Sequence, residues 1–416
     1  MSQEIYFSAQ IVADALSVSK RNVETWAKNG KLVPDLDPSI HKKPYSKEQL
    51  KVFDEFSAMF ESQWEEDLSE VPTRQYSLVE LFAGAGGLAL GLEKAGFNSV
   101  MLNEKDKYAC QTLRTNRPSW NVVEDDIANV DFSHLEGKVD LLTGGFPCQP
   151  FSYAGKQLGF EDLRGTLVFE MARAIKEIKP KVFLAENVKG LKENDKGRTL
   201  STIIRVLEEL GYKILENDIY KAMFYKVPQK RERLIIIGVR QDIYDKMSYK
   251  KPSPYHKVLT VRDALKAGEL YDKDVPESTG QLYPKRKAEI MSHVPEGGYW
   301  RDLPVELQKE YMMKSFYLGG GKTGMARRLS WDEPSLTLVC TPAQKQTERC
   351  HPSESRPLTT REYARIQTFP DDWEFSGSDS QVYKQIGNAV PVNLAFAIGK
   401  ALIKMLNNAP DSVFKC

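Results

Sequence analysis

The sequence predicts an α/β protein built on a doubly wound, Rossmann-like parallel sheet. Three observations predict it. Short apolar runs alternate with helical stretches from residue 77 onward, the pattern of strand–helix units whose strands lie parallel. The first run ends in a glycine-rich turn. Acidic and thiol side chains stand just past several of the runs, where such folds gather their ligands. In chain order, 77–82 is a strand, 83–87 the glycine turn and 88–95 a helix. Strands follow at 100–102, 139–143, 182–185 and 234–239, with helices over 167–178 and 200–210. Beyond 240 the spacing is irregular, with a glycine cluster at 319–321. Helical order returns at 359–368, and a final helix covers 392–405.

The first 55 residues read as a unit of their own. Ile11, Val12, Ala15 and Leu16 fall at helical spacing. Ser19 is placed to cap a second helix carrying Val23, Trp26 and Ala27, and Gly30 ends it. Two short helices across a tight turn fit helix-turn-helix, with Lys20 and Arg21 opening the helix that would read bases. Residues 8–34 together with 42–46 resemble the excisionase/MerR-like winged helix-turn-helix. A plain helical hairpin packed on the main body fits the same spacing. Residues 56–76 read as an acidic helix running into a linker. Asp54, Glu55, Glu61, Glu65, Glu66, Asp67 and Glu70 crowd the stretch 52–70, which has no Lys or Arg.

Composition narrows the function. The chain has 416 residues, enough for two or three domains. Its 58 Lys+Arg against 57 Asp+Glu leave a net charge of +1. That excludes a uniformly basic nucleic-acid coat and an acidic disordered chain, but not a local basic surface. Cys110, Cys148, Cys340, Cys350 and Cys416 include no C-x-x-C pair. They form no disulfide framework and, with five scattered histidines, no metal cluster, so a reducing cytoplasm and no metal are expected. The N-terminus lacks a signal-peptide pattern, and no apolar run approaches a membrane-spanning length.

The chemistry-bearing residues sit at the ends of the runs. Gly84-x-Gly86-x-x-Ala89 after a strand fits the loose dinucleotide fingerprint. Glu104, twenty residues beyond Gly84, is placed to accept hydrogen bonds from ribose hydroxyls, and Asp126 suits an adenine amino group. Nicotinamide, flavin and S-adenosylmethionine sites share this logic. Cys148 follows the strand 139–143 within Gly145-Phe146-Pro147-Cys148-Gln149-Pro150. Most lone cysteines are buried and inert, but a strand-end position among Gly and Pro suits a nucleophile. Cys110 reads as structural. Glu186 follows the strand 182–185, where desolvation could make it a general acid. The charged run Gln229 to Arg233 precedes a buried strand, so one arginine can point inward.

Together these residues resemble the DNA (cytosine-5) methyltransferase family. The resemblance runs through Leu81 to Gly87, Gly145 to Ser152, Gly155 to Leu167, Glu186-Asn187-Val188 and Gln229 to Arg233, then Arg356 to Glu362, Gln367 to Pro370 and Gly387 to Pro391. The motifs stand in the family's order over about 77–405. The resemblance implies a catalytic domain over 77–240, a smaller irregular target-recognition domain over 241–355 and a return to the catalytic domain over 356–416. It implies S-adenosylmethionine as methyl donor, held by Phe82, Ala83, Gly84, Gly86, Gly87, Glu104, Lys105, Asp126, Ile127, Phe146, Pro147, Leu167, Asn388 and Val390. Glu80 stands where many members have Asp, and Lys105 where the pattern often has an aromatic.

By the same resemblance, the Cys148 thiolate adds to C6 of a flipped cytosine and Glu186 protonates N3. Arg233 binds O2, and Arg231 is a supporting charge. Gln149, Ser152, Arg327, Arg328 and Thr337 are the positions expected at DNA, alongside Lys20 and Arg21. Six basic residues (Lys314, Lys322, Arg327, Arg328, Lys345, Arg349) against three acidic ones between 311 and 350 fit phosphate contacts. The implied partner is double-stranded DNA. The implied setting is a cytoplasmic bacterial restriction–modification system with a cognate endonuclease, the methyltransferase acting as a monomer. A tRNA cytosine methyltransferase, a nicotinamide oxidoreductase and a DNA-binding regulator are the competing readings.

Overall fold

The computed structural model describes residues 5–146 and 166–414. A seven-stranded sheet lies at the centre. It comprises β1 (Tyr76–Leu81), β2 (Phe97–Glu104), β3 (Val122–Glu124), β4 (Leu141–Gly145), β5 (Val182–Val188), β6 (Tyr212–Lys221) and β7 (Glu232–Arg240). Their order across the sheet is β3-β2-β1-β4-β5-β7-β6. The helices that matter for the site are α1 (Ala9–Ala15), α2 (Lys20–Lys28), α3 (Gly87–Ala95), α4 (Lys107–Asn116), α5 (Leu167–Ile178), α6 (Arg198–Glu209), α7 (Thr360–Ile366) and α8 (Val392–Asn407).

Strands β1 to β5 are mutually parallel. The expected all-parallel sheet is corrected at its far edge, where β7 runs antiparallel to both β5 and β6. Residues 222–231 join β6 to β7, a connection too short for a helical crossover. Both faces of the central strands are buried. Val79, Leu81, Leu142, Phe183 and Ile236 pack with Ile175 of α5 and Ile203 of α6 on one side. Leu78, Leu141, Leu184 and Ile235 pack with Leu394, Ile398 and Leu402 of α8 on the other. Small residues let α8 lie against α3. A Cβ on Gly91 would come 2.4 Å from the Ala395 Cβ, and one on Gly399 would come 2.6 Å from the Ala95 Cβ. The last helix is thus a second support for the glycine turn.

The stretch Asp379–Asn407 is apolar enough over an 18-residue window to cross a membrane by length and composition. This departs from the expectation that no run approaches that length. Some 83% of the window is buried inside the protein, as in a core helix. Residues between 283 and 350 build a separate small core around Met291, Trp300, Tyr311, Met312 and Cys350.

The N-terminal residues do not stand apart. Ser8 caps α1 by accepting from the Ile11 N–H, and Ser19 caps α2 by accepting from the Asn22 N–H. Short strands Tyr6–Phe7 and Tyr45–Ser46 pair antiparallel beside them. Phe7, Ile11, Val23, Phe56, Met59 and Trp64 share one continuous core with Tyr220, Met223 and Tyr225. The acidic stretch is two short helices, Asp54–Phe60 and Trp64–Ser69, not one. It is also not a loose linker. Trp64 is buried edge-on to Tyr255 at 5.3 Å. The Asp67 carboxylate accepts from the Ser253 N–H at 2.9 Å.

This shared core predicts one cooperative unfolding transition. Trp64→Ala should lower the stability of the whole chain by about 3 kcal/mol or more. Circular dichroism during thermal unfolding checks this. An early transition confined to about 70 residues would show instead that the N-terminal unit is separable.

Candidate active site

Because β1 to β5 are parallel, their carboxyl ends lie on one edge of the sheet. Strand order reverses between β1 and β4, which opens a crevice there. Phe82, Glu104, Asp126, Phe146 and Glu186 all sit at or just past those ends. The antiparallel β7 begins at the same edge, which brings Arg233 there. The structure therefore gathers residues separated by more than 140 positions in the chain. Pro147, Cys148, Gln149 and Ser152 lie outside the described residues.

The glycine turn is shaped by backbone conformation. Phe82, Gly84 and Gly86 all have positive φ (56°, 55° and 84°), a region that favours glycine. A Cβ on Gly86 would meet Leu113 Cδ2 at 2.7 Å, and one on Gly87 would meet the Val390 carbonyl oxygen at 2.3 Å. Gly84 differs: a Cβ there would meet nothing within 4 Å, so this side of the turn is open. The Gly84 N–H donates to Glu104 Oε2 at 2.8 Å. Glu104 Oε1 accepts from the Lys105 and Asp106 N–H groups, each at 2.8 Å. A carboxylate offers about four acceptor sites, so Oε2 keeps room for one more donor. Asp126 caps the short turn Ile127–Asn129, and Ile127 is buried. Lys105 extends into solvent with its ammonium 3.7 Å from Asp126. Ala83, Phe146 and Val390 are buried in the walls, and Leu167 opens α5. Asn388 Oδ1 accepts from the Cys340 thiol at 3.1 Å. Cys340 was not singled out from sequence; burial raises its thiol above the ordinary value.

Glu186 is the best-determined group in the site. Gly145 is its register partner across β4 and β5. A Cβ on Gly145 would lie 3.0 Å from Glu186 Oε2, so glycine here leaves room for the carboxylate. Arg233 Nε lies 2.6 Å from Glu186 Oε1, with both side chains nearly buried. The contact is an ion pair by distance, with Glu186 Oε1 left without a hydrogen bond of good geometry. Asn187, to which sequence reading assigned no role, donates to the Phe146 carbonyl at 2.8 Å. That bond anchors the chain where it leaves β4 toward residue 148.

Arg231 is fully buried. Its guanidinium donates to the carbonyls of Leu338 (3.3 Å), Gly387 (3.0 Å) and Asn388 (3.4 Å). Burial holds its pKa well below the usual arginine value, and Arg233 nearby adds repulsion. These bonds tie the segment before β7 to the last motif. An amide relay runs beside it. Gln229 donates to Gln367 Oε1 at 2.8 Å, and Gln367 donates to the Ile386 and Ala389 carbonyls at 2.8 and 3.0 Å. These glutamines also had no role in the sequence reading.

The residues expected at DNA divide. Lys20 and Arg21 are exposed on α2. Thr337 is half-buried and donates to the Lys230 carbonyl at 2.8 Å. Arg327 is half-buried with its guanidinium 5.9 Å from the Tyr299 ring. Arg328 is corrected outright. It is buried, and its donors reach the carbonyls of Met291, Val294, His351, Pro352 and Glu354 and the Ser355 hydroxyl. Six acceptors saturate its five N–H groups, which leaves none for a phosphate. Among the described residues no group of three or more metal-ligating side chains occurs.

Comparison with known proteins gives a consistent result. The family described as C-5 cytosine-specific DNA methylase matches residues 76–404. The type II methyltransferase M.PspPI of Psychrobacter sp. (strain TA137) is 83% identical over 410 residues, covering 99% of each chain. The type II methyltransferase M.Eco47II of Escherichia coli is 64% identical over 401 residues, covering 96% of each. Both alignments reach into the N-terminal region that precedes the family match. Among solved structures, a chain assigned as a DNA modification methyltransferase encoded within an E. coli prophage superposes with a TM-score of 0.61 at 25% identity. It covers 80% of this chain and 100% of that one.

Glu80 gives the site a testable pH signature. It is fully buried in β1, and burial, reinforced by the Glu104 charge, pushes its carboxyl up to about 8. The unfolded chain releases that proton near the ordinary 4.5. Between these values the folded state binds more protons, so stability falls as pH rises and levels off above about 8. Glu80→Gln should remove this slope. Urea unfolding between about pH 5 and pH 8 should cost the wild type a few kcal/mol more than the variant; parallel curves would refute the assignment.

Proposed function

The chain belongs to the C-5 cytosine-specific DNA methylase family, and from that premise we propose how its residues methylate cytosine in duplex DNA. The enzyme is a DNA cytosine-5 methyltransferase. Its similarity to M.PspPI and M.Eco47II supports a type II modification enzyme that protects DNA from a cognate endonuclease in a bacterial cytoplasm. The observation that carries the catalytic reading is the Arg233–Glu186 pair above Gly145, at the carboxyl edge of the sheet.

Cytosine C5 is a weak nucleophile until a group adds at C6. The Cys148 thiolate forms that C6–S bond. Glu186 in its acid form, oriented by Arg233, delivers its proton to N3, so that the electron pair displaced by sulfur is not stranded as an anion, and the carboxylate takes that proton back as C5 is alkylated. Arg233 has further N–H groups to offer O2. After C5 has been alkylated, loss of the C5 proton restores the ring double bond and expels the thiolate. None of this can happen within a stacked duplex, so the base is flipped into the site.

The residues fit S-adenosylmethionine, which supplies an electrophilic methyl group when bound. The open side of the turn at Gly84 and the free acceptor capacity of Glu104 Oε2 suit a ribose carrying two hydroxyls. Asp126 lies beyond β3 for the adenine amino group, and Phe82, Phe146 and Ile127 offer apolar walls. Val390, whose carbonyl lies against Gly87, closes the turn from the C-terminal side, and Asn388 stands two residues before it.

Duplex DNA containing 5-fluorocytosine tests the covalent step, because fluorine cannot leave C5 as a proton does. The wild type with S-adenosylmethionine should form a denaturation-resistant adduct, absent in Cys148→Ala. Glu186→Gln should slow methyl transfer by about 10²-fold to 10⁴-fold. An adduct that persists without Cys148 would refute the mechanism. Transfer to tRNA rather than DNA would move the enzyme to the competing class.

A further inference from the structure

The segment 229–233 presents two faces. Arg231 turns toward the Gly387 and Asn388 carbonyls and Arg233 toward Glu186. Lys230 and Glu232 point the opposite way, toward the turn between α1 and α2. The Lys230 ammonium lies 2.5 Å from Asp14 Oδ2 at the end of α1 and 3.6 Å from Glu333 Oε2 in the recognition region. Glu232 Oε1 accepts from the Ser17 hydroxyl at 3.4 Å, while its Oε2 lies 3.1 Å from Lys189, three residues past Glu186. The Lys221 ammonium donates to the Ala15 carbonyl. Ser17 holds a positive φ of 54° at this contact.

Main-chain pairing holds Glu232 and Arg233 within the sheet but leaves the residues before them lightly placed. Gln229–Lys230 lie outside the seven-stranded sheet and pair only with Ser335–Leu336. Arg231 falls between that pairing and the start of β7. The Arg231 carbonyl accepts from the Ala222 N–H at 2.7 Å, and side-chain ties supplement that bond. The Asp14–Lys230 pair is suited to this, since the two side chains are only 19% and 11% exposed and solvent screens them weakly. Arg327 joins the same cluster: burial lowers its pKa, while Glu333 and Asp14 attract its charge.

We propose that the N-terminal unit is a positioning element of the methyltransferase site. Asp14 acts through Lys230, and Ser17 through Glu232, to hold the entry into β7, and so to fix the seat from which the Arg233 side chain meets Glu186. The inference rests on the catalytic reading above. It gives the first 70 residues a part in the reaction itself, whether or not α2 also touches DNA.

Single-turnover methylation by the full-length protein at saturating DNA tests it, with KM for DNA and the thermal midpoint measured in parallel. Asp14→Asn should slow the single-turnover rate about tenfold and leave KM within about twofold. Asp14→Glu, which keeps the charge, should recover most of the rate. Glu333→Gln, at the more exposed end of the relay, should slow it less, and the double variant should lose less than the product of the two because both act through Lys230. A lower midpoint with an unchanged rate would make the contact merely structural and overturn the proposal. A loss confined to KM would make the unit a DNA contact and also overturn it. A wild type that methylates no cytosine would overturn the catalytic reading and this inference together. A wild type that methylates, beside an Asp14→Asn variant of equal rate, would overturn this inference alone.

Discussion

Everything at the site depends on the register of three strands. Gly145 opposite Glu186 leaves the space the carboxylate occupies. The antiparallel β7 then delivers Arg233 to the same edge, 2.6 Å from Glu186. A slip of one residue would turn Arg233 to the opposite face of the sheet. Close packing excludes that slip, because it would replace Gly238 opposite Phe183 with a residue whose Cβ would come 2.2 Å from the ring. Packing at a glycine thus secures a polar geometry. Asn187 extends the control to the end of β4 by donating to the Phe146 carbonyl.

A second level of order comes from buried polar ties across long chain separations. Arg231 holds carbonyls at Leu338, Gly387 and Asn388. Gln229 and Gln367 link the catalytic strand to the helix before Val390. These contacts let the chain leave at residue 240, build a separate small core between 283 and 350, and return as α7 and α8 against the glycine turn. Buried donors and acceptors are costly when unpaired, so each tie resists displacement of the returning segment. The 283–350 region and the glycine turn are consequently coupled through a few side chains rather than through the loops alone.

Much of this was legible in the residues. The strands at 77–82, 182–185 and 234–239 were readable because central strands are covered on both faces and need unbroken apolar runs. The helix over 167–178 was readable from its 3.6-residue period. Glu104, Asp126 and Glu186 could be placed because strand ends of a parallel sheet share one edge. Strand β6 was not visible. It lies at the sheet edge, half-buried, and carries Lys213, Glu216, Asn217 and Asp218, so no apolar run marks it. Arg328 misled because an Arg-Arg pair reads as surface, whereas its role is to satisfy carbonyls in a small core. The acidic stretch misled for a related reason: its carboxylates hide Phe56, Met59 and Trp64, whose burial joins the N-terminal unit to the sheet.

The central claim is that Arg233 and Glu186 work as one device on the cytosine ring. A double-mutant cycle on single-turnover methylation tests it most directly, using Glu186→Gln, Arg233→Gln and the pair. If the two side chains act through each other, the second substitution adds little to the first, and the double variant is about as slow as the slower single one. If the losses simply multiply, the two residues act independently and the account is wrong at its core.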